Sequence, residues 1–194
     1  MAKIRTIAVI GAGAVGQDIA RLAAIGGYST ILEDIVPASL RRAGNEIRSA
    51  LDQALSLRLI TPSEAEAALA RIQYASSLED AARAADLIIE AVPDEFESKT
   101  EILTLLDKVA RPATIFATTS ISCRVTELAA ATYRANQILG MRFSCLPNGT
   151  QQLWLLRGRE TDEETIAVCT QVGHRLGREV LSVADVADLD AAQS

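Results

Sequence analysis

The chain has 194 residues, 49% of them hydrophobic, and a formal charge of −6 at pH 7. That is enough chain for one well-buried domain; the negative charge and scattered arginines argue against general nucleic-acid binding, and no apolar run reaches membrane-spanning length. Cys123, Cys145 and Cys169 form no C-x-x-C pattern, which speaks against a disulfide framework or metal site and for a reducing cytoplasm.

Lys3 and Arg5 run straight into Ile7–Ile10, a buried strand rather than the apolar core of a secretory leader. Gly11-Ala12-Gly13-Ala14-Val15-Gly16 follows. In this G-x-G-x-x-G, Gly11 makes the tight turn, Gly13 lets a pyrophosphate approach the backbone, and Gly16 lets the next helix lie on the sheet. Helix-forming residues from Gln17 to Ala24 then aim free N–H groups and the helix dipole at the phosphates, beside Ala14 and Val15. After Gly26-Gly27, Tyr28–Leu32 reads as a second strand closing on Glu33-Asp34. Asp34 lies 18 residues beyond Gly16, where a ribose diol is hydrogen-bonded. A structural glycine turn is the competing reading, and the strand–turn–helix–strand–acid context favours a dinucleotide site.

Pro37 starts a helix with an apolar stripe at Leu40, Ile47, Leu51 and Leu55, and Thr61-Pro62-Ser63-Glu64 is a capping box for another. This helical hairpin is an insertion after the second strand. Ile72–Ala75 is a short strand, Ser77–Ala84 a short helix, Asp86–Val92 a buried strand and Phe96–Val109 a helix. Ala113–Thr118, Gln137–Phe143 and Leu153–Leu156 read as strands, with a short helix from Thr126 between the first two. Thr161-Asp162-Glu163-Glu164 reads as a second capping box, its helix ending near Leu176, and Val180–Val183 as the last strand. Alternating strands and helices predict a doubly wound, mostly parallel α/β sheet of the Rossmann type over residues 1–184, with 185–194 a frayed acidic tail.

This order of motifs resembles the amino-terminal, NAD-binding domain of the L-3-hydroxyacyl-CoA dehydrogenase family. The matching stretches are Ile7–Ala20, Thr61 with Glu64-Ala65-Glu66-Ala67, Asp86–Pro93, Ile115–Leu128 and Ile138–Gly140; Glu90-Ala91-Val92-Pro93 and the helical insertion are the more specific. The resemblance implies NAD as cofactor, with Asp34 on the adenosine ribose and Ala91, Val92, Asp94, Lys99 and Thr119 lining its path, Ala91, Asp94 and Lys99 toward the nicotinamide. Asp34 repels a 2′-phosphate, so NAD(H) is expected over NADP(H); Arg41 and Arg42 are the nearest cations that would reverse this, and both fall in the following helix.

The family's catalytic positions are occupied differently. Its substrate-contacting Ser aligns with Ile121, its general-base His with Arg142, and the acid that orients that His with Trp154. Oxidising a secondary alcohol needs a base of near-neutral pKa, which arginine is not. His174, the only histidine, is read as a surface or helix-terminus residue. Cys145 is expected to be a small buried thiol, although a nearby Arg142 would favour its ionisation; Tyr74 and Tyr133 are expected to be packing residues. Arg142 itself is either a ligand for a carboxylate or phosphate or a solvated rim charge.

Two functions therefore stand: an NAD-dependent oxidoreductase related to 3-hydroxyacyl-CoA dehydrogenases, acting on a small acid or acyl thioester, and a non-catalytic NAD(H)-binding sensor or partner subunit. The family's helical carboxy-terminal domain is not seen in the sequence. Leu153-Trp154-Leu155-Leu156, with Phe143 and Leu146, is accordingly expected to form an apolar strip through which the protein makes a homodimer or meets a partner.

Overall fold

The computed structural model describes residues 3–184; the tail expected at 185–194 lies outside them. In chain order the elements are β1 (Thr6–Ile10), α1 (Ala14–Ile25), β2 (Ser29–Glu33), α2 (Pro37–Ser56), α3 (Pro62–Arg71), β3 (Ile72–Ala75), α4 (Leu78–Ala84) and β4 (Leu87–Glu90). There follow α5 (Phe96–Val109), β5 (Ile115–Thr118), α6 (Val125–Ala129), β6 (Ile138–Cys145), β7 (Gln151–Arg157), α7 (Glu163–Arg175) and β8 (Glu179–Ala184). The strands form one sheet in the order β3-β2-β1-β4-β5-β6-β7-β8. Neighbours are parallel except β6 and β7. Only the short link 146–150 joins those two, which suffices for a hairpin and not for a crossover. The fold is the expected doubly wound α/β sheet.

Helices cover both faces, so the central strands are buried on both sides and read as apolar runs rather than alternating ones. Ile7 and Val9 face α1, α2, α3 and α7; Ala8 and Ile10 face α4, α5 and α6. The hairpin begins as expected: Thr61 Oγ1 accepts from Glu64 N, and Glu64 Oε2 accepts from Thr61 N at 2.7 Å.

Three expectations are corrected. The cap of α7 is Asp162, whose Oδ1 accepts from Thr165 N at 2.7 Å; Thr161 instead donates its hydroxyl to Ile138 O at 2.6 Å, tying the helix entry to β6. Of the expected apolar strip, Leu146 is exposed but the run 153–156 is not an open surface. Leu153 and Leu155 pack on one face of the sheet, Trp154 and Leu156 on the other, all at 8% exposure or less. Tyr133 is fully exposed rather than packed, and Tyr74 is only partly covered, its hydroxyl lying over Gly44 of α2.

Candidate functional site

The carboxyl ends of β1, β2, β4 and β5 open into a cleft of about 630 Å³ lined by Gly11, Gly13, Ala14, Val15, Asp34, Ala91, Val92, Asp94, Lys99 and Thr119, among others. The three glycines of the turn meet three different constraints. Gly11 has φ +105°, and a Cβ there would lie 2.7 Å from Ala91 O. A Cβ on Gly16 would lie 1.9 Å from Gly11 O, so the first turn of α1 closes on the end of β1 only without a side chain. A Cβ on Gly13 would meet no atom within 4 Å. Nothing in the fold demands glycine at 13; the open space it preserves belongs to the cleft. Gly13 is also the N-cap of α1, and no side chain caps that end, so the helix presents backbone donors toward a ligand.

Asp34 follows β2 with both oxygens engaged: Oδ2 accepts from Ala12 N and Oδ1 from Val36 N, each at 2.9 Å. These bonds fix the carboxylate over the glycine turn and leave each oxygen a further lone pair for a diol. Beside it, Glu33 was not singled out from sequence. Its side chain is only 2% exposed, it lines the cleft, and its Oε1 is buried without a partner. Burial, reinforced by the charge of Asp34, raises its pKa to about 7. An acid ending an otherwise apolar strand was the available sign, and Asp34 next to it drew the reading away.

Lys99 and Asp94 both line the cleft, Lys99 Nζ 3.8 Å from Asp94 Oδ1, but neither is a free charge. Lys99 is 1% exposed and donates to Glu90 Oε1 at 2.8 Å, to Glu90 Oε2 at 3.0 Å and to Val92 O at 3.3 Å. Thr118 Oγ1 and Val92 N also donate to the Glu90 carboxylate. This buried ion pair joins β4, β5 and α5 beneath the cleft floor. Asp94 accepts from Ser120 Oγ at 2.5 Å and from the amides of Ile121 and Ser122 at 3.1 Å. Partial burial alone would raise its pKa, but those bonds outweigh it and hold the carboxyl below the usual range. Asp94 thus sets the shape of the loop that carries Thr119 and Ile121.

A second cavity, of about 510 Å³, adjoins the first and shares Val15, Thr119 and Ile121 with it. Ile121 is 58% exposed at this junction. Arg142 lines the second cavity, and in the β6–β7 register it stands directly opposite Trp154. Cys145, expected to be buried, is exposed and accepts from Gln151 Nε2 at 2.9 Å; it follows the point where β6 leaves the covered part of the sheet. His174 is exposed in the last turn of α7, as expected. No group of three or more described His, Cys, Asp or Glu residues is placed to hold a metal, and no described helix is long and apolar enough to cross a membrane.

The cleft fits a dinucleotide: an uncapped helix start, a glycine whose missing side chain leaves space, and a fixed carboxylate at the end of β2. Comparison with known proteins agrees. The family model described as 3-hydroxyacyl-CoA dehydrogenase, NAD binding domain, matches residues 6–186. The 3-hydroxybutyryl-CoA dehydrogenase of Bradyrhizobium diazoefficiens is 33% identical over 92% of this chain and 61% of its own length. The crystal structure of (S)-3-hydroxybutyryl-CoA dehydrogenase from Ralstonia eutropha superposes with a TM-score of 0.89 at 31% identity, over 94% of this chain and 64% of that one. A Mesorhizobium japonicum protein, 5-formyl-3-hydroxy-2-methylpyridine 4-carboxylate 5-dehydrogenase, is 28% identical over 90% of this chain and 55% of its own length. The chain spans about three-fifths of the length of the 3-hydroxybutyryl-CoA dehydrogenases it matches and about a quarter of that of longer relatives.

Proposed function

The chain belongs to the 3-hydroxyacyl-CoA dehydrogenase NAD-binding-domain family, and from that premise we propose that it holds NAD(H) along the Gly11–Gly16 turn, Asp34, Ala91, Val92 and Thr119 without performing the family's usual acyl-CoA oxidation. NAD, when bound, supplies a hydride acceptor at its nicotinamide. The helix-start amides of α1 are offered to the pyrophosphate and Asp34 to the ribose diol, while Asp94 and Lys99 shape the loop and floor around the far end.

One observation carries the negative half of this reading. The resemblance puts the general base at Arg142 and its orienting acid at Trp154, and the two are register partners across β6 and β7. That adjacency supports reading the two positions as a coupled pair, occupied here by a cation and a buried indole. Arginine stays protonated near neutral pH and takes no proton from an alcohol. Ile121, standing for the substrate-contacting serine, removes a hydroxyl from the same junction. A substrate other than a 3-hydroxyacyl-CoA has a precedent by name in the Mesorhizobium relative. The same register pair also supports a second reading, in which the protein is an NAD(H)-binding sensor or partner subunit. The unpaired cysteines support a reducing, cytoplasmic setting for either.

Calorimetric titration with NAD, NADH and NADPH, followed by incubation with NAD and 3-hydroxybutyryl-CoA at the NADH absorbance band, tests the proposal. NAD(H) is expected to bind more tightly than NADPH, and turnover to fall at least about 10²-fold below a family enzyme, the lower end of what a general base contributes. Tighter NADPH binding overturns the role of Asp34; family-like turnover overturns the substitution argument.

A further inference from the structure

The second cavity carries a charge distribution that its own residues do not balance. Arg21, Arg142 and Arg178 line it, against a single acid, Asp18, in a protein of net charge −6. Asp18 pairs with Arg21 Nη2 at 3.2 Å and is itself largely exposed. Arg178 Nη1 donates to Gln151 Oε1. Yet the Nε atoms of Arg21 and Arg178 are both buried without an acceptor, and the side chain of Arg142 makes no hydrogen bond or ion pair among the described residues. Burial first, and then the charge of Arg21 on the same cavity, lower the pKa of Arg178 against the opposing influence of Cys145 and Asp18. Three guanidiniums lining one cavity against a single carboxylate leave it with uncompensated positive charge, and a bound oxyanion supplies the missing acceptor.

We propose that this cavity binds a small organic carboxylate, gripped by Arg21 and Arg178 with Arg142 at its edge, in continuity with the cofactor cleft. The planar guanidinium offers paired N–H groups that match a carboxylate. Ile19, Leu22, Met141 and Phe143 supply the remaining wall, which suits an organic anion better than a bare inorganic one. The shared residues Val15, Thr119 and Ile121 put the carboxylate within one molecule's length of the cleft. The inference names a ligand class for the site proposed above, and it rests on that reading for its meaning as a substrate position.

Calorimetry at low ionic strength with malonate, uncharged malonamide and inorganic phosphate tests it, with NAD titrated into the same samples. Malonate is expected to bind the wild-type protein at least tenfold more tightly than malonamide or phosphate. Arg21→Gln and Arg178→Gln are each expected to weaken malonate at least tenfold and to leave NAD affinity within twofold. No malonate binding at millimolar concentration, equal binding of malonamide or phosphate, or undiminished malonate binding by both folded variants overturns the proposal. The first two arms need no variant. Malonate binding without NAD binding sinks the cofactor reading and upholds the carboxylate site; NAD binding without malonate binding does the reverse.

Discussion

Glu33 ends β2 with its carboxyl buried beside that of Asp34, and its pKa rises from an ordinary 4.5 to about 7. Between those values the folded protein holds a proton that the unfolded chain has released. Stability therefore falls as pH rises through that window and is level above it, by at most about 3 kcal/mol. Glu33→Gln removes the titrating group, so it is expected to be more stable than wild type at pH 8 and little different at pH 4, measured by urea denaturation at both. Equal pH profiles for the two proteins would refute the assignment. Lys99 presents the opposite case, a buried charge fully compensated by Glu90. Lys99→Met leaves the Glu90 carboxylate, 0% exposed, without its cation. The expected cost is about 3–5 kcal/mol, read as a thermal midpoint lowered by roughly 10 °C. Adding Glu90→Gln to that variant is expected to recover much of the loss.

At the scale of elements, the glycine turn and α1 separate folding from binding within six residues. Gly13 has φ −71° and open space around its missing side chain, so Gly13→Ala is expected to fold with a thermal midpoint close to wild type. The same methyl projects into the ligand's path, and NAD affinity is expected to drop at least tenfold by calorimetry. Gly16→Ala drives a Cβ into the backbone oxygen of Gly11, and the expected result is a large loss of stability or of soluble protein. A Gly13→Ala variant that binds NAD normally would show that the phosphates lie elsewhere. The helical hairpin makes the parallel point about local determinants: its reciprocal Thr61–Glu64 cap is fully formed, because both partners lie within one turn of each other.

For the molecule as a whole, the question is which face is left to meet a partner. Trp154 is 8% exposed within the core on the α4–α5–α6 side. Trp154→Ala is therefore expected to cost about 3–5 kcal/mol as a core truncation and to leave the mass measured by light scattering unchanged. A change in mass without a change in stability would restore the interface reading of the strip. The charge map also belongs to this scale, since arginines from α1, β6 and the loop before β8 meet in one cavity although they lie far apart in sequence.

The sequence by itself determined what depends on neighbours along the chain. The Gly11–Gly16 turn, the Pro37 and Thr61 helix starts and the apolar strand runs each follow from sterics or hydrogen bonding within a few residues, and these suffice to specify the Rossmann order. The position of Asp34 over the glycine turn was legible because its distance from the turn is set by one helix and one strand. What lay beyond reading was whatever depends on contacts across the sheet. Whether Trp154 was an anchor or core turned on helices covering both faces of β7. Thr161 looked like a cap because its local pattern permits one, until Ile138 O, 23 residues away in sequence, took its hydroxyl. The ion pair of Lys99 with Glu90 was not legible from either residue's neighbours in sequence, and Cys145 looked buried until β6 outran its cover. In each case the outcome was set by what the packed sheet placed, or failed to place, against the side chain rather than by its neighbours in sequence.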